Sequence, residues 1–135
     1  MADSKYTVAF TAIEQRLANS VPAALAGGVS YPGRALASVT NQPWSRLSFI
    51  PTASTNVATG GGQTWKRRNG LIVVDVFTPK GSGVDINLLI CEEITTLFEN
   101  TEFGNVKTFE ANTAKIEDDP WTGYQVTINF YCEGL

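Results

Sequence analysis

The stretch GLIVVDVFTP, residues 70–79, constrains this chain more than any other. From Leu71 to Phe77, apolar side chains occupy both phases of a period-two pattern, and only Asp75 interrupts them. A strand with one wet face alternates apolar and polar residues, so a run that is apolar on both phases has to be covered on both sides. These residues are therefore expected in a central strand, and the rest of the chain must supply the cover.

Tyr6, Phe10, Ile13 and Leu17 recur at helical spacing and predict a first helix over 4–19, with Asp3 or Ser4 as N-cap and Pro22 beyond its end. Ile86, Leu89, Ile90, Ile94, Leu97 and Phe98 predict a second helix ending near Asn100. Residues 23–43 are small, Gly/Pro-punctuated and weakly patterned, and read as an irregular crossing with room for a short strand. Residues 44–50 alternate Trp44, Arg46 and Ser48 against Leu47 and Phe49, a strand that Pro51 is expected to terminate. Two further strands are expected at 105–116 and 123–132, the last with Tyr124, Val126, Ile128, Phe130 and Cys132 on one face. This order gives an α+β fold, a mainly antiparallel or mixed β-sheet with two helices packed on it. At 135 residues the chain fits one domain.

Between the first two strands lies TASTNVATGGGQT, residues 52–64. It has almost nothing to bury, and Gly60, Gly61 and Gly62 add chain freedom, so it is expected to form a long exposed loop and a candidate contact surface.

Chemistry-bearing patterns are scarce. In KGSGVD the lysine precedes the glycines and Val84 and Asp85 follow Gly83, which does not match the GxxxxGK[ST] of a phosphate loop. Gly81, Ser82 and Gly83 also lack the third glycine of a dinucleotide fingerprint, because Ile86 stands where it would fall. Ser82 and Asp85 read instead as a capping-box pair for the second helix. The sequence has no histidine, which removes the commonest general base and most zinc sites. Glu92 and Glu93, and the run Glu117, Asp118, Asp119, read as solvated neighbours rather than convergent catalytic pairs. No cofactor is expected. Cys91 and Cys132, 41 positions apart and outside any CxxC grouping, read as buried free thiols.

The net charge of −3 argues against a nucleic-acid backbone binder. The opening MADSKYTVAF lacks a signal pattern and no stretch reaches the length of a membrane span, so no membrane partner is expected.

The pattern R-x-G-L-I-V-V-D-V-F-T-P-x-G-x-G, a helix, a strand, and then D-P-W-T-G-Y-Q-V-T-I-N-F-Y resembles the tail terminator proteins of long-tailed bacteriophages, the lambda-like minor tail protein U group. Arg68, Gly70, Val74, Val76, Phe77, Pro79, Gly81 and Gly83 carry it, followed by Trp121, Tyr124, Val126, Ile128 and Tyr131. The resemblance implies a structural, non-enzymatic α+β subunit of the virion, assembled in the host cytoplasm. Copies would form a homo-oligomer, a hexameric ring on the head-proximal end of the tail tube. That ring would stop tube polymerisation and offer the joining surface for a neck or head-completion protein. DNA would only pass through its channel. Another head–tail connector role stays open beside this one.

Within such a ring, the candidate interface comprises Lys66, Arg67 and Arg68, the loop glycines Gly60, Gly61 and Gly62, and the acidic Asp118 and Asp119. Arginine suits interfaces because its planar fork pairs with carboxylates while its stem packs. Glu92, Glu93 and Glu117 are further acidic partners for the basic run. The competing reading places these arginines along a DNA channel.

Overall fold

The computed structural model describes residues 4–33, 41–81, 83–118 and 120–135. Helix α1 (Tyr6–Asn19) opens the chain, and β1 (Val29–Ser30), β2 (Trp44–Gly60) and β3 (Gln63–Pro79) follow. Helix α2 (Val84–Phe98), β4 (Glu102–Phe103), β5 (Val106–Asp118) and β6 (Trp121–Gly134) complete it. The strands form one six-stranded sheet in the order β1-β2-β3-β6-β5-β4, antiparallel except where β1 runs parallel to β2. Two helices on a mixed sheet make the α+β class expected from the sequence.

The apolar run falls in β3, between β2 and β6. Ile72, Val74 and Val76 join Leu47, Val126, Ile128, Phe130 and Cys132 on the face that Ala9, Ile13 and Leu17 of α1 and Ile90, Cys91, Ile94 and Phe98 of α2 cover. On the other phase Val73 and Phe77 are also buried, with the Trp44 ring stacked on Phe77 at 4.6 Å between centroids. Leu71 is half-buried. Asp75, the one charge in the run, is 3% exposed and is satisfied from both neighbouring strands. Arg46 Nη2 donates to its Oδ2 at 2.7 Å, and Gln125 Nε2 to its Oδ1 at 2.8 Å. Register places the three residues side by side on β2, β3 and β6, which is why this carboxylate can be buried at all. Gly70 fits this sheet because it lacks a side chain: a Cβ there would come within 2.6 Å of the Phe130 ring.

The helix boundaries correct the sequence reading. Lys5 stands at the N-cap of α1 with no side-chain cap bond. Ser4 is buried and donates its hydroxyl to the Leu135 carbonyl at 3.3 Å, so it ties the two chain ends together rather than capping. Asp3 lies outside the described residues. At α2 the N-cap is Gly83, with φ at 90° and no side-chain cap bond, while Ser82 lies outside the described residues. The expected inward stripe is also rotated. Ile86 and Leu89 are 39% and 54% exposed, and Asn87 faces the core. Its Nδ2 donates to Val76 O at 3.0 Å, Thr78 Oγ1 at 3.2 Å and Thr122 O at 3.0 Å, bonds that clip α2 to β3 and β6. Three partners make a buried amide cheaper than periodicity alone suggests.

The largest correction lies between the first two long strands. Pro51 does not end β2, and residues 52–64 are not a loop: β2 continues to Gly60, β3 starts at Gln63, and the two form one long hairpin. Ser45 donates its amide outward to Gly28 O, so alternate residues through Pro51 turn their amides to the open side. A proline on that phase loses no ladder bond.

Candidate assembly interface

The outer half of this hairpin is a β-ribbon. From 52 to 63 every residue is exposed, and β6 accompanies β3 only as far as Lys66, opposite Gly134. Beyond that point, among the described residues, the two strands pair only with each other. The ribbon closes through Gly61 and Gly62, with φ of +59° and +79°, after the last pair Gly60↔Gln63. Positive φ at both central residues is the two-residue turn whose twist matches paired strands, and glycine adopts it without strain. Threonines and Val57 supply the β-propensity that the loop reading overlooked. Register shifts between Pro51 and Ser54 and between Asn56 and Ala58 bend the ribbon.

Its root is tied down. Glu133 Oε1 accepts from Trp65 Nε1 at 2.8 Å, and its Oε2 accepts from Arg67 Nε at 2.7 Å. These hydrogen bonds, that of Trp65 foremost, hold the Glu133 carboxyl below its ordinary range. The Arg67 guanidinium lies 4.5 Å from the Tyr131 ring centroid. Arg68 lies 5.8 Å from the Tyr6 ring and reaches Ser54 Oγ at 3.4 Å, while Asn69 Nδ2 bridges the first register shift to Ala53 O at 3.2 Å.

The sequence candidates thus divide. Gly60, Gly61 and Gly62 form the ribbon tip, and Lys66, Arg67 and Arg68 its root. Asp118 ends β5 opposite Trp121, twelve positions along β6 from Glu133, or about 40 Å away. Asp119 lies outside the described residues. Glu92 and Glu93 are exposed on α2. The partner of Arg67 within the chain, Glu133, was not among the acidic candidates. Only the pairing of β3 with β6 brings them together, and no local signal in the sequence reports it.

No group of three or more metal-ligating side chains occurs among the described residues. Neither cysteine is in a disulfide and both are buried, and burial pushes the Cys91 thiol up to about 12, with Glu92 adding to the effect. A thiol so raised is a poor nucleophile at neutral pH. No helix among the described residues is long and apolar enough to cross a membrane.

A model of the family described as "Phage tail terminator protein" matches residues 10–130, which takes in every element except the ends of α1 and β6. The chain belongs to the phage tail terminator family. As a tail terminator it is a structural component of a phage tail. A solved structure titled only by a sequence identifier is 15% identical and superposes with a TM-score of 0.71 over 96% of both chains. A chain from a structure titled "Virion of native gene transfer agent (GTA) particle" is 13% identical, with a TM-score of 0.54 over 96% of this chain and 100% of that one. At these identities the likeness is one of fold. No curated protein sequence matches this tail terminator.

Proposed function

We propose that copies of this chain close into a ring, hexameric as the family resemblance implies, on the head-proximal end of the tail tube. The ring halts tube polymerisation and offers its other face to a neck or head-completion protein. It works by shape and contact, without catalysis or cofactor, and DNA passes through it unread. The family match over residues 10–130 carries this reading. A ribbon exposed on both faces and rooted by Trp65, Arg67 and Glu133 supports it, because such an arm makes contacts that the subunit does not make with itself.

Disrupting the gene and imaging the lysate by negative stain tests the reading. Overlong tails are expected, whereas tails of normal length without heads would assign the chain to head completion instead. The basic root is proposed as a protein contact. Arg68→Glu probes it more cleanly than Arg67→Glu, which would also set two carboxylates together at Glu133. Overlong tails on complementation with Arg68→Glu support the contact. Normal tails with reduced DNA delivery support the channel reading of the same residues.

A further inference from the structure

Besides the ribbon, a second edge of the sheet lacks a partner. Thr108 donates its amide outward to Thr101 O at 2.9 Å, and beyond the register shift Ala111 donates its own to Glu99 Oε2 at 2.8 Å. The same phase continues through Thr113, Lys115 and Glu117, and among the described residues no strand lies outside β5 there, because β4 pairs only with Val106 and Lys107. Exposed edges with free amides are templates for strand addition, and proteins protect them with proline, charge or cover. β2 carries no charged residue from 52 to 60, so the outer edge of the ribbon has no charge to protect it either.

Apolar surface lies near this end of β5. Val84, at the start of α2, lines a cavity of about 150 Å³ with Lys115 and Ile116 of β5 and Trp121, Thr122, Gly123 and Tyr124 of β6, so this end of the helix lies across the two strands. Val84 and Leu88, one helical turn apart, are 45% and 37% exposed. Asp85 and Glu92 follow them round the helix on one side, and α2 has no basic residue. The ribbon has the complementary pattern: Val57, 46% exposed, on an uncharged arm whose root bears Lys66, Arg67 and Arg68.

We infer that the outer edge of β5 at residues 112–117, with Val84 and Leu88 beside it, receives the β2 edge of the ribbon from a second copy of this chain. The inference rests on the ring reading and gives it a mechanism. Pairing unlike edges is heterologous, so each copy gives its ribbon to one neighbour and receives another's, and the series forms a ring where the rotation between copies closes and a filament where it does not. It is also the pairing that consumes both free edges, since ribbon-to-ribbon pairing would leave every β5 edge open. In this pairing the basic root of the ribbon is offered to an α2 that carries acidic residues and no basic one.

The test mixes two variants and measures mass in solution by light scattering at the highest attainable concentration. Val57→Lys disables the ribbon and leaves the β5 edge intact. Thr113→Pro removes an outward amide and leaves the ribbon intact, and Leu88→Arg serves as a second edge-side variant should the proline disturb folding, as judged by circular dichroism. Each variant alone is expected to associate about a hundredfold more weakly than the parent chain. Mixed in equal amounts, they should recover one intact contact and stop at dimers. If Val57→Lys alone is impaired and both edge-side variants assemble normally, the ribbon pairs with something other than β5 and the inference is wrong. If the parent chain forms rings and every variant does too, the ring reading survives and this contact falls. A parent chain that stays monomeric and leaves tail length unchanged when deleted overturns both.

Discussion

β2 and β3 each run through two environments, and the contrast between them separates what holds this subunit together from what it presents to others. At 72–78 β3 is buried on both faces, whereas at 63–65 the same strand is paired only within a hairpin whose residues from 52 to 63 are all exposed. Both halves have backbone ladders. Hydrogen bonds exchanged against water contribute modestly per bond, so the ladder alone does not make the ribbon as stable as the sheet. Apolar burial makes the difference, and the exposed half is thereby left available for contacts.

The strongest way to break this comparison is at Phe77, fully buried beneath Trp44. Phe77→Ala is expected to cost about 3–5 kcal/mol, read from the denaturant midpoint, and a loss below about 1 kcal/mol would mean that this half of β3 is not the stabilising centre. Next comes the clip at the far end of the buried half. Asn87→Leu removes the hydrogen bonds to the Val76 and Thr122 carbonyls and should cost about 1–3 kcal/mol by the same measurement, whereas an unchanged midpoint would show that α2 docks without them.

The ribbon should respond differently. Replacing Gly61 and Gly62 by alanine forces left-handed backbone at about 1–2 kcal/mol per residue, yet this cost is expected to fall on the ribbon alone. Amide exchange should quicken at 54–66 and stay slow at 72–78, with the global midpoint unmoved. A matching fall in the midpoint would mean that the two halves unfold as one unit. The smallest effect is expected at the root. Because the Glu133 carboxyl is held below its ordinary value of 4.5, its contribution is fully present above that pH and is lost as pH falls through the folded value. Melting curves of the parent chain and Glu133→Gln should therefore differ near neutral pH and converge in acid. A gap that persists at low pH would assign the stabilisation to something other than the ionised carboxylate.

The family resemblance was legible in the second half of the sequence, and the class of fold was legible in its periodicities. The ribbon was not. Uncharged threonine, serine and glycine at 52–64 carry little burial signal in either state, so composition alone favoured a loop. The strand reading needed the pair Gly61 and Gly62 to be taken as a turn between two continuing strands. At α2, apolar residues on most sides of the first turns left the buried face undetermined, and the polar Asn87 claimed it through partners on β3 and β6.

By itself, then, the sequence determined the central strand, because a seven-residue run apolar on both phases but for Asp75 has no stable place except between two covers. It also determined that the usual catalytic bases are scarce, since a chain without histidine lacks the commonest one. Only the tertiary structure decided where Asp75 finds Arg46 and Gln125, how Glu133 meets Trp65 and Arg67, and which sheet edges remain open. Each of these is fixed by register between strands distant in sequence, and register is set by the packing of whole faces rather than by any local residue pattern.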